Sequence, residues 1–139
     1  MAFYPYLFFG GTCREAFTRY QEIFGGELTL ITSADMPAEE RMPDAPADSI
    51  MHAALTSADA LLMGSDDPTS DTVGPVQGIQ VNVSVSGVDE AKRVFDALAE
   101  GGEVHAPLEP TSFAAAFGMC TDRFGIPWLL TTDEPPAAA

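Results

Sequence analysis

The sequence predicts an α+β protein made of two tandem β-α-β-β-β modules, and three observations carry that reading. Gly-Gly-Glu followed by a branched apolar residue occurs twice, in "FGGELTL" (24–30) and "EGGEVHA" (100–106). Each copy closes a segment whose apolar residues recur with the one-faced spacing of an amphipathic helix. Each of those segments follows a strand-like run and precedes three more short strands.

The first module opens with "AFYPYLFF" (2–9), a strand-like run. From Cys13 to Phe24 the residues Ala16, Phe17, Tyr20, Ile23 and Phe24 form a helical stripe, which predicts a helix there. Thr12 and Glu15 have the spacing of a capping box, and Gly25 supplies the left-handed residue that ends the helix. Strands are expected at Glu27–Thr32, Ser49–Thr56 and Ala60–Ser65, with "SAD" (57–59) turning between the last two. The second module repeats the order. "IQVNVSVS" (79–86) alternates at period 2, and Ala91, Val94, Phe95 and Leu98 stripe a helix from Asp89 to Glu100 that Gly101 closes. Strands follow at Glu103–Pro107, Phe113–Thr121 and Pro127–Thr132, with "DRFG" (122–125) as the turn. Sliding the halves by 75 residues lays Glu15-Ala16 on Glu90-Ala91, Tyr20 on Phe95 and Ile23 on Leu98. The expected organisation is module 1 over 1–67, a linker over 68–77, module 2 over 78–133 and a disordered tail over 134–139.

Composition bounds the function. Twenty-one acids against 6 bases give a net charge of −15, which repels nucleic acid and anionic lipid, so neither is an expected partner. Much of the acidity falls in apparent loops, "ADMPAEERMPDAPADS" (34–49) and "SDDPTSD" (65–71), where it serves solubility before it serves any ligand. No apolar run reaches the roughly 18–20 residues that cross a bilayer, and "MAFYPYLFFGG" has neither a basic start nor a small-residue cleavage site, so the expected location is cytoplasmic. Cys13 and Cys120 stand outside any metal-binding spacing and are expected as reduced, buried thiols.

One helix covers one face of a four-stranded sheet and leaves the other in want of a partner. Two such curved sheets can shelter each other and leave a cup. "YLFFGGTCREAFTRYQEIFGGEL", "MHAALTSADALLMGSD" and "FGMCTDRFGIPW" resemble the vicinal-oxygen-chelate superfamily, which includes glyoxalase I, bleomycin-resistance proteins and extradiol dioxygenases, and within it the PhnB-like branch. The resemblance implies the glyoxalase/bleomycin-resistance fold, with paired modules forming a cupped mixed sheet, and a homodimer. Metal-dependent members hold a divalent ion with His, Glu or Gln from the first and last strands of each module. Carried over by strand and helix register, those positions are Pro5, Met63, Gln80 and Leu129, of which only Gln80 offers an oxygen. A slip of one residue brings in Tyr4, Tyr6, Leu62, Gly64, Trp128 and Leu130, which supply no better set. A hard cation asks for about four to six ligands, so no metal and no cofactor is expected.

The candidate pocket residues follow from alternation. In "IMHAALT", Met51, Ala53 and Leu55 would pack on the helix and His52 would face the cup, either as a satisfied polar group or as an acid-base residue. In "QVNVSVS", Val81, Val83 and Val85 would face the helix, while Gln80, Asn82 and Ser84 look into the cup or into solvent; the resemblance favours the cup. Opposing them, Phe9, Met63, Phe113, Phe117, Met119 and Trp128 are the aromatic and thioether candidates, with Leu129 at a former metal position; plain core packing accounts for most of the six. His105 borders a loop and is expected on the surface. No G-x-S-x-G, P-loop or G-x-G-x-x-G is present. The expectation is a metal-free small-molecule binding protein, the alternative a metal-dependent or acid-base lyase, isomerase or dioxygenase using the same cup.

Overall fold

The computed structural model describes residues 1–67 and 73–136. The chain divides into two compact units, Met1–Gly74 and Pro75–Ala139. The expected linker 68–77 and tail 134–139 lie partly outside the described residues.

In the first unit, β1 (Tyr6–Phe9), α1 (Cys13–Phe24), β2 (Glu27–Thr32), β3 (Ile50–Thr56) and β4 (Leu61–Asp66) follow one another. The sheet order is β1-β4-β3-β2, with β1 parallel to β4 and the other neighbours antiparallel. The second unit repeats it with β5 (Val81–Val85), α2 (Val88–Ala99), β6 (Glu103–Glu109), β7 (Phe117–Thr121) and β8 (Pro127–Thr132), in the order β5-β8-β7-β6. These are the two β-α-β-β-β modules.

Each helix buries its stripe on its own sheet. Ala16, Phe17, Tyr20 and Ile23 of α1 are buried, with Phe17 edge-on to Phe9 and to Tyr20 at 6.2 and 5.6 Å between ring centroids. Ala91, Val94, Phe95 and Leu98 of α2 are buried likewise. Glycine lets each helix approach. A Cβ on Gly64 of β4 would stand 2.7 Å from the Phe17 ring, and one on Gly118 of β7 would stand 2.8 Å from the Phe95 ring.

The repeated Gly-Gly-Glu has a backbone cause. Gly25 and Gly101 close the helices at φ 74° and 76°, where a side chain is strained. A Cβ on the next residue, Gly26 or Gly102, would run into the carbonyl oxygen of Thr56 or Thr121, at the end of the strand that β2 or β6 pairs with.

Several boundaries differ from the sequence expectation. The first strand starts at Tyr6, after Pro5, which has no N–H to give a ladder. Strand β5 starts at Val81 and β7 at Phe117 rather than Phe113. Ahead of β7 the Thr111 hydroxyl accepts from the Phe113 and Ala114 N–H groups, which diverts them from a strand ladder. The Thr12–Glu15 capping box does not form, and Thr12 makes no side-chain cap. The carboxylate of Asp66 takes the N–H groups of Gly11 and Cys13 instead, at 3.1 and 3.0 Å.

Candidate functional site

The face of each sheet turned away from its helix is where polar and apolar groups meet. In unit 1, Phe9 and Gly64 lie on the helix side, so alternation puts Tyr6 and Phe8 of β1, and Met63 and Ser65 of β4, on the other. The register sets Tyr6 beside Met63, Met63 beside Ala54, and His52 beside Ile31. The Tyr6 side chain reaches across β4, and its hydroxyl lies 3.1 Å from His52 Nδ1, with the two rings 5.8 Å apart. Phe8 packs on Tyr6 at 5.3 Å. Tyr6 and Phe8 remain 39% and 53% exposed, so this is an accessible aromatic cluster and not core.

In unit 2, Gly118 meets the helix, so Phe117, Met119 and Thr121 of β7 take the open face. Across the sheet the register lays out Phe117 beside Thr131 and Thr131 beside Ser84, then Met119 beside Leu129 and Leu129 beside Asn82. The result is an aromatic and thioether column on β7, a mixed column on β8 and a polar column on β5. Phe113 stands edge-on to Phe117 at 5.3 Å. His105 Nε2 lies 2.7 Å from the Thr121 hydroxyl at one end of the face.

His52, Met63, Asn82, Phe117, Met119 and Leu129 therefore lie on open faces, each within its own unit. Gln80 is exposed and immediately precedes β5. Phe9 and Trp128 belong instead to the helix side: Phe9 is 2% exposed against Phe17, and the buried Trp128 donates its indole N–H to Asp122 Oδ2 at 2.8 Å. Phe8, Ser65 and Thr131 join the faces without having been singled out from sequence, and Tyr6, named there only as a slipped metal position, joins them too. The alternation in "YLFF" contained the signal for Tyr6 and Phe8.

The residues at the superfamily's metal positions do not fit a divalent ion. Met63 and Leu129 offer a thioether and an alkyl group, and the Pro5 carbonyl already accepts from the Met63 N–H at 3.2 Å. Among the described residues no group of three His, Cys, Asp or Glu could hold a metal. The thiols are equally unsuited to nucleophilic work. Burial, with the charge of Asp66 second, pushes Cys13 up to about 12, and burial with Asp122 pushes Cys120 up to about 11; both are free and buried.

Two β-α-β-β-β modules, each a four-stranded sheet with one helix on one face, define the glyoxalase/bleomycin-resistance fold. A glyoxalase/bleomycin resistance protein/dioxygenase family enzyme from Burkholderia phytofirmans superposes with a TM-score of 0.60 over 93% of this chain and 95% of its own, at 14% identity. The family itself is a narrower matter: the family model described as 3-demethylubiquinone-9 3-methyltransferase matches residues 1–131, and the chain belongs to that family. Protein YjdN of Escherichia coli is 33% identical over 134 residues, covering 91% of each chain. The crystal structure of PA1353 from Pseudomonas aeruginosa is 41% identical with a TM-score of 0.86, covering 95% of this chain and 97% of that one. A PhnB protein from Bacillus cereus has a TM-score of 0.76 at 22% identity, over 95% and 99% of the two chains. These matches agree with the PhnB-like branch read from the sequence. No helix among the described residues is long and apolar enough to cross a membrane.

Proposed function

We propose that the chain is a metal-free small-molecule binding protein that uses the open faces of its sheets. The observation that carries this is the composition of those faces: aromatic and thioether side chains beside a few hydrogen-bonding groups, which is what a small-molecule site needs. The donor set at the former metal positions supports binding without a metal. The family's descriptive name speaks of methyl transfer; the residues on these faces speak for binding, and the proposal rests on the residues. A thermal-shift screen of small molecules tests it, with elemental analysis of protein purified without chelator. Hits whose stabilisation is lost in Asn82→Leu, together with background metal, are expected. About one ion per chain, removed by a chelator together with activity, would overturn it.

A second reading, acid-base catalysis, is favoured by one contact, the 3.1 Å approach of the Tyr6 hydroxyl to His52 Nδ1. Turnover of a screened ligand that is abolished in His52→Gln but kept in Asn82→Leu would favour it over binding alone. A homodimer is part of the proposal, because each four-stranded sheet has two edge strands that a symmetric partner can protect. Light scattering that gives only the monomer mass at micromolar concentration would count against that.

A further inference from the structure

The open face of unit 2 carries a ring and a charge in register. Glu109 pairs directly with Phe117 across β6 and β7, and directly paired residues project to the same face. Neighbouring strands lie roughly 5 Å apart, so the carboxylate stems from beside the Phe117 ring. Phe113, which is 65% exposed, stands edge-on to that ring at 81° and 5.3 Å. The turn that presents Phe113 is fixed by the Thr111 N–H, which donates to the Ala114 carbonyl at 3.0 Å, and by the Thr111 hydroxyl, which accepts from Ala114 N at 3.1 Å. The basic residues of this unit are elsewhere. Lys92 and Arg93 lie on α2, and Arg123 stacks over Phe124 in the β7–β8 turn, 4.9 Å from its centroid.

From this juxtaposition we infer that the face takes a small aromatic cation: a ring packed against Phe113 and Phe117, with its ammonium near Glu109. The inference rests on the binding reading above and narrows its ligand class. Two perpendicular rings offer an edge and a face to a ligand ring, and the negative π face of a phenyl group attracts a cation. The carboxylate adds charge complementarity at the same spot. An anionic ligand would meet repulsion there, and a neutral one would leave the carboxylate unused.

Three probes of similar size separate the contributions: benzyltrimethylammonium, its uncharged isostere neopentylbenzene, and benzoate. Amide shifts of Phe117 and Thr131 report binding at the face. The cation is expected to bind about tenfold more tightly than the isostere, as a ring contact plus one partly exposed charge pair allows, and benzoate should bind weakest. Glu109→Gln should bring cation and isostere close to parity. Asp89→Asn on α2 removes the same unit of net charge and should leave the preference intact, which separates a local partner from the field of a protein at −15. If the isostere or benzoate binds as well as the cation, or if both variants erode the preference equally, the cation inference fails while small-molecule binding stands. If none of the probes moves these signals, the cation inference fails, and the thermal-shift screen decides small-molecule binding by itself.

Discussion

The two modules keep the same helix-closing Gly-Gly pair and place their buried carboxylates at opposite ends of the last strand. In module 1, Asp66 ends β4 and accepts three backbone N–H groups, from Gly11, Cys13 and Ile50, at 3.0–3.1 Å. It thereby ties the start of α1 to the start of β3. The register puts Asp66 beside Phe9 and Thr132 beside Val85, so Thr132 is its counterpart in module 2. Thr132 accepts one such bond, from Ala116 N at 3.1 Å, and α2 begins at Gly87 without a side-chain cap. Module 2 puts its carboxylate before the last strand. Asp122 accepts the N–H groups of Phe124 and Ile126 and the Trp128 indole N–H at 2.8–3.0 Å, where module 1 closes the corresponding turn with a Ser57 N–H to Ala60 carbonyl bond at 3.0 Å. The difference teaches that the Gly-Gly pair specifies the repeated helix-to-strand turn, whereas the polar anchor can move along the last strand.

The largest effects should come from those anchors. Removing a charged acceptor strands several buried donors at once, so Asp66→Ala and Asp122→Ala should each cost about 3–5 kcal/mol in denaturant unfolding, and Thr132→Ala about 1–2 kcal/mol. Equal costs for Asp66→Ala and Thr132→Ala would mean that Asp66 is no hub.

Next in size is a pH effect, because each carboxylate lies near a buried thiol. Burial, and then the neighbouring charge, hold Cys13 and Cys120 protonated up to about 12 and about 11, against an ordinary value of 9.0. Above pH 9 the unfolded chain releases these protons and the folded chain keeps them. Stability should therefore fall as pH rises from about 9 toward 11, by up to about 1.4 kcal/mol per pH unit for each thiol. Cys13→Ala should lower stability at pH 8 yet flatten the alkaline fall in a pH series of unfolding curves. An unchanged slope would remove Cys13 from the account.

The smallest stability effect distinguishes the two faces of β5. Asn82→Leu alters an exposed position on the open face and should stay within about 0.5 kcal/mol. Val81→Asn puts an amide beside Trp128 on the helix side and should cost about 1–3 kcal/mol. The reverse order would mean that the strand faces are assigned backwards.

Much of this architecture was legible. The stripe of α1 and the strands Glu27–Thr32 and Pro127–Thr132 follow from local periodicity, and the structure has those elements with those bounds. The turn anchor Asp122 stood in plain view in "DRFG", because an Asp that accepts from residues two and four ahead acts locally. Asp66 was not legible as a cap. Its partners Cys13 and Gly11 lie 53 and 55 residues away, and Thr12 with Glu15 offered a local explanation that the stronger charged acceptor displaced. Of the pocket candidates, alternation placed His52, Asn82 and Met119 on open faces. Phe9 went to the helix because "YLFF" turns Leu7 and Phe9 one way and Tyr6 and Phe8 the other.

The methionines offer the most direct test of the central claim, that ligands bind on the faces the helices leave open. Met63 and Met119 stand on those faces, one in each module, while Trp128 is buried on the helix side with its indole N–H held by Asp122. Titration with a hit from the thermal-shift screen should move the 13C-methyl signal of Met63 or Met119 and leave the Trp128 indole N–H signal in place. Movement of the Trp128 signal alone, with Met63 and Met119 unchanged at saturation, would contradict the account.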